Sequence, residues 1–88
     1  MPYEIVYTKK YERRLKQFLK QHPEVYTQYD KTIEMLKVNP HHPSLRLHKL
    51  KRPLQGFQSV SYRITIEFII QDNLIIPVMV GSHDQVYR

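Results

Sequence analysis

Cysteine is absent from the 88 residues, which excludes a disulfide framework and thiolate chemistry of any kind. Glycine occurs only 2 times, leaving little room for a flexible linker. No low-complexity segment or internal repeat is visible. No apolar run reaches the length of a membrane span. The opening Met1-Pro2-Tyr3-Glu4-Ile5 lacks a charged leader followed by a long apolar segment, so no secretory signal is expected. A soluble, cytoplasmic protein without a membrane partner is the default expectation. Acidic residues are also scarce, 8 against 14 lysines and arginines, for a net charge of +6 and an isoelectric point near 9.7. That balance favours polyanionic partners through counterion release, or an acidic protein partner.

What is present fits one globular domain, residues 1–88, with ordinary hydrophobic (41%) and charged (25%) content. A chain of this size buries about 60–65% of the surface it exposes when unfolded, enough for one modest core. Tyr3-Glu4-Ile5-Val6-Tyr7 alternates and is rich in β-formers, which predicts a first strand. Thr8 suits a helix N-cap. Tyr11, Leu15, Phe18 and Leu19 then fall on one stripe of a helix, with Lys9, Lys10, Arg13, Arg14, Lys16 and Lys20 opposite them. Against these cations stands the single acid Glu12, so this face is a candidate contact surface for phosphate or an acidic partner. His22-Pro23 breaks the helix, and Pro23 and Glu24 suit the first turn of a second one. Its stripe is Val25, Tyr29, Ile33 and Leu36, and Asn39-Pro40 ends it. The pair should form a helical hairpin that needs an apolar surface to cover.

His41-His42-Pro43-Ser44 reads as a loop. With His48 nearby it invites a metal, but the spacing matches no zinc pattern, so solvated histidines and no metal are expected. Leu45 to Leu54 reads as an extended connection. Leu45, Leu47, Leu50 and Leu54 should anchor it, while Arg46, His48, Lys49, Lys51 and Arg52 form an outward cationic wall. From Phe57 the pattern is strand-like. Val60, Tyr62, Ile64, Ile66, Phe68 and Ile70 share one parity, and Ser59, Ser61, Arg63, Thr65 and Glu67 the other. Tyr62 to Gln71 and Leu74 to Val80 read as a hairpin turning at Gln71-Asp72-Asn73. Pro77 removes a ladder donor and predicts an edge or a bulge. Phe57 to Ile64 is short for a strand-turn-strand and lacks Gly or Asn for a tight turn. A compressed turn or one bent strand would satisfy it. The order is β-α-α followed by two or three antiparallel strands, an α+β fold with a small, mostly antiparallel sheet.

The chain closes on Gly81-Ser82-His83-Asp84-Gln85-Val86-Tyr87-Arg88, with Gly81 expected to end the last strand. These residues can take a proton, give one and steady negative charge. This phrase, together with Leu47-His48-Lys49-Leu50-Lys51, Gly56-Phe57 and Tyr62-Arg63-Ile64, resembles the RelE/ParE superfamily of bacterial type II toxins. The likeness spans nearly the whole chain and is greatest to the RelE and YafQ-type mRNA interferases. It implies a sheet flanked by two helices with a site on the concave face. It also implies a ribosome-dependent, metal-independent endoribonuclease of the bacterial cytoplasm, restrained by a cognate antitoxin. Residue by residue, Arg63 matches the arginine that holds the scissile phosphate. His83 matches a histidine of YafQ-like members, Tyr87 the aromatic near the C-terminus and His48 a histidine of the YafQ-type branch. Where RelE carries lysines on its second strand, this chain has Ser59 and Ser61.

The chemistry of the residues agrees with that reading. Metal-free RNA cleavage uses the substrate's 2′-hydroxyl as nucleophile, and needs a base, cations at phosphorus and an acid for the leaving 5′-oxygen. Only histidine titrates near neutrality unperturbed, which makes His83 and His48 the acid–base candidates. Arg63 offers a fork suited to phosphate. Arg46, Lys49, Lys51 and Arg52 are candidate RNA and phosphate contacts, with the ribosome and mRNA as partners and no small-molecule cofactor. Tyr87 can orient the 2′-hydroxyl or stack on a base. Two alternatives share the fold. One is a ParE-like toxin that inhibits DNA gyrase by binding; the other is an inactive member that only binds its antitoxin.

Overall fold

Helix α1 (Lys9–Gln21) starts where Thr8 accepts a hydrogen bond from the Tyr11 amide at 3.1 Å. The cap satisfies one of the orphan donors of the first turn. The computed structural model describes residues 2–49, 57–62 and 64–82, and of His48, Ser61 and Tyr62 the backbone alone. Tyr11 and Phe18 of α1 are buried, with Leu15 and Leu19 packed against them. A one-turn 3-10 helix, Pro23–Val25, carries the proline at its start, and α2 (Tyr26–Val38) follows. Tyr29, Ile33 and Leu36 of the expected stripe are buried, and Thr32 joins them with its hydroxyl donated to the Gln28 carbonyl. No helix among the described residues is long and apolar enough to cross a membrane.

The helices cover a five-stranded sheet of order β1-β5-β4-β3-β2. Its strands are β1 (Glu4–Ile5), β2 (His48–Lys49), β3 (Gln58–Tyr62), β4 (Ile64–Gln71) and β5 (Leu74–Ser82). Every neighbouring pair is antiparallel except β1 with β5. The fold is therefore α+β as expected, with β1 shorter than its alternating sequence predicts and four strands after the helices. Tyr62 and Ile64 are register partners, so the chain reverses between them. The compressed turn is the correct alternative, and the single long run of one parity is two strands. Parity survives the reversal because partners across a ladder share a face. Val60 thus stands beside Ile66, and both belong to the core with Ile64, Phe68, Ile75 and Val80. Each such side chain, fully buried, contributes about 1.5–3 kcal/mol.

The β4–β5 turn places Asp72 at φ 56°, a left-handed conformation that Asp tolerates better than most residues. Beyond it, Glu67 faces Met79 while Phe68 faces Pro77, which leaves Val78 as the extra residue of a bulge. Pro77 is the physical reason, since it has no amide to donate. Arg14 then donates from Nη1 to the Val78 carbonyl at 2.7 Å. Arg14 is thus a structural tie between α1 and the bulge, not a member of the outward cationic face. Gly81 does not end β5. The strand runs on to Ser82, with Gly81 buried opposite Thr65.

Candidate active face of the sheet

The two faces of the sheet differ in chemistry. Val60, Ile64, Ile66 and Phe68 pack with the helices in one core. The alternate positions, Ser59, Thr65 and Glu67, point to the other face by the period of two. All three are nevertheless buried, Ser59 and Thr65 fully and Glu67 to 7% exposure. The Thr65 hydroxyl finds no hydrogen-bond partner among the described residues. A buried, partnerless hydroxyl costs about 1–3 kcal/mol. A core built for stability alone would have filled these positions with apolar side chains, as the other face does.

The ladder fixes which positions share this face. His48 stands opposite Ser59, Ser59 opposite Glu67 and Glu67 opposite Met79, one row across four strands. A second row runs from Ser61 through Thr65 to Gly81. Lys49 pairs with Gln58, in the row of Phe68, so its position alternates away from that of His48. The side chain of Lys49 is exposed. Arg46, also exposed, precedes β2 in a left-handed conformation at φ 49°, and Leu45 beside it is fully buried. The connection is thus anchored at Leu45 as expected, but it opens with a 3-10 turn (Pro43–Leu45) and enters the sheet as β2. Of the expected cationic wall, Arg46 and Lys49 are exposed, while Lys51, Arg52 and the side chain of His48 lie outside the described residues.

Arg63, His83 and Tyr87, together with Lys51 and Arg52, lie outside the described residues. Their neighbours in the chain are informative. Ile64 and Ser82 are register partners, and Tyr62 pairs with Ile64, so the end of β3, the start of β4 and the end of β5 meet at one end of the sheet. That end lies three residues along β4 from Glu67, about 10 Å at the rise of a strand. The sequence reading passed over Glu67 as a parity residue. The signal was there: one carboxylate in an otherwise apolar and β-branched strand, Ile64-Thr65-Ile66-Glu67-Phe68-Ile69-Ile70.

The loop histidines do local work. His42 Nδ1 accepts from the Ser44 amide at 3.1 Å, and the His41 amide donates to Asn39 Oδ1 at 3.0 Å. No group of three or more potential metal ligands occurs among the described residues.

No family model and no curated protein sequence matches the chain. Solved structures do. YafQ from E. coli superposes with a TM-score of 0.69 at 16% identity, covering 98% of this chain and 99% of that one. The RelBE2 toxin–antitoxin complex of Mycobacterium tuberculosis contains a chain with the same TM-score of 0.69 at 20% identity, over 94% of this chain and all of that one (100%). The DinJ–YafQ toxin–antitoxin complex of E. coli gives 0.66 at 18% identity, with 100% of both chains covered. Each likeness spans nearly the whole of both chains, and the protein has the fold of the RelE/YafQ-type toxins.

Proposed function

We propose that the chain is the toxin of a type II toxin–antitoxin system and acts as a metal-independent endoribonuclease on ribosome-bound mRNA. The observation that carries this reading is a polar row on the face away from the helices, in which the buried Ser59 and Glu67 stand in register with position 48, in a sheet of the toxin fold. One histidine removes the proton of the 2′-hydroxyl, and the freed oxygen attacks phosphorus. The bond to the 5′-oxygen breaks, and a second protonated group returns a proton to it. The products are a 2′,3′-cyclic phosphate and a 5′-hydroxyl. His83 and His48 are assigned to proton transfer and Arg63 to the developing charge at phosphorus. Tyr87 orients or stacks the nucleotide, and Lys49, Lys51, Arg52 and Arg46 supply the phosphate-binding field. The likeness to toxins solved with their antitoxins supports an antitoxin as the restraining partner.

The test is brief expression without antitoxin, followed by primer extension on cellular mRNAs. Wild type arrests growth with discrete cuts; His83→Ala and Tyr87→Ala relieve both, by about 100-fold or more in cleavage for an acid–base residue. Arrest of equal strength in both variants overturns the assignment. Arrest with intact mRNA and an SOS response would make the chain a gyrase inhibitor instead.

A further inference from the structure

A cleft between α1 and β5 lies where the polar row of the sheet runs out, and neither the core nor the cleavage chemistry uses it. Arg14, Gln17 and Gln21 recur at i, i+3 and i+7, which puts them within about 60° of arc on one side of α1. With Phe18 of the same helix and Met79 and Val80 of β5, they line a cleft of about 270 Å³. Gln17 and Gln21 are exposed and Arg14 is half-buried. The Val78 carbonyl fixes Nη1 of Arg14 at 2.7 Å, and the other guanidinium donors make no hydrogen bond among the described residues. The tie thus presents the rest of the fork in one orientation. Met79 stands opposite Glu67, so the row that begins at position 48 ends at this cleft. β1 pairs with β5 only at Leu74 and Ile75, and no strand among the described residues flanks Met79 on its outer side. No carboxylate of the described residues lines the cleft.

From this juxtaposition we infer that the α1–β5 cleft is a subsite for one nucleotide of single-stranded RNA flanking the cut. A strand that crosses the sheet along the polar row leaves it over Met79, between Arg14 and the two glutamines. Arginine and glutamine are side chains that meet a base edge with two hydrogen bonds at once. Met79 and Phe18 offer an apolar wall for the unstacked base. One fixed cation, two neutral amides and no carboxylate also suit the phosphate that travels with the base, which the net charge of +6 attracts. That this RNA is the substrate rests on the endoribonuclease reading above; the donor set and its continuity with the row do not. The subsite selects where the strand is cut without touching the reacting groups.

The experiment is nuclear magnetic resonance titration of the isotope-labelled chain with a short 2′-O-methylated RNA, which cannot be cut. The Arg14 Nε–H, the Gln17 and Gln21 side-chain amides and the Met79 amide shift together as RNA is added. Gln17→Glu with Gln21→Glu places two carboxylates in the cleft at exposed positions that hold no part of the fold together. The pair weakens RNA binding by about tenfold, as loss of a base contact does. Arg14→Lys keeps the charge, loses the fork and weakens binding as well. The control Gln71→Glu, exposed at the far hairpin turn, stays within about twofold of wild type. RNA affinity of the paired variant within about twofold of wild type overturns the subsite. Shifts confined to the polar face of the sheet, or no RNA binding by the wild type, overturn it too. In each of these cases discrete mRNA cuts by the wild type in primer extension leave the endoribonuclease reading standing. Absence of those cuts, with RNA still held at Arg14, removes that reading and keeps the cleft as an RNA site.

Discussion

Tyr11 and Tyr29 show how one pair of side chains couples burial to solution conditions. Their hydroxyls share a buried hydrogen bond of 2.9 Å between the two helices. Burial pushes both phenols above the usual tyrosine range, and the neighbouring tyrosines raise Tyr29 further. The folded chain therefore keeps both protons where the unfolded chain, with ordinary tyrosines near 10, releases them. The stability this provides is complete below about pH 10 and is lost as pH rises beyond it, by about 1.4 kcal/mol per pH unit for each tyrosine. Urea melts across the alkaline range measure this slope. Replacing both residues with Phe flattens it, while ultraviolet titration shows the two phenols ionising only with unfolding. Glu67 carries a different lesson at the same scale. Its identity was plain in the sequence, but its importance was not, because only the ladder reveals that it shares a row with His48 and Ser59.

At the scale of elements, local rules were legible wherever a side chain acts on its own backbone. Thr8 caps α1, Pro23 opens the turn before α2 and Asp72 takes the left-handed position of the hairpin. Pro77 announced an edge or a bulge, and a bulge is there. The partner of that bulge was not legible, since Arg14 lies 64 residues away in the chain. Its guanidinium tethers α1 to β5 through the Val78 carbonyl. Arg14→Ala removes a half-buried charged donor and lowers stability by about 1 kcal/mol, water replacing part of the bond. Arg14→Lys recovers only part of that loss, since a lysine lacks the guanidinium's reach and fork. Urea unfolding checks both, and a loss indistinguishable from zero would show that the tie is incidental.

The whole molecule is a two-layer arrangement, a helical hairpin on one face of the sheet and a polar face on the other. A net charge of +6 makes the attraction of such a molecule to any polyanion long-range and salt-sensitive. If positioning of the substrate comes from the ribosome, purified chain cuts ribosome-bound mRNA and leaves the same mRNA intact when free. Efficient cutting of free RNA would place the whole catalytic apparatus in this chain alone. The measurement is cleavage of one labelled message with and without ribosomes, repeated as salt is raised.

The sequence by itself determined the opening β-α-α order, the closing hairpin and the α+β class. Period, caps and turn residues act over a few positions and need no partner. The tails of the two helices, the turn at Asp72 and the core parity of the strands follow from that alone. Only the tertiary structure decided the reversal between Tyr62 and Ile64, the alternation that separates position 48 from Lys49, and the structural role of Arg14. It also made a groove from Tyr7, Leu19 and Tyr26, which belong to different segments. The physical reason is the same in each case. Register, sidedness and grooves are relations between segments, fixed when hydrogen-bonded ladders and packed helices bring distant residues together.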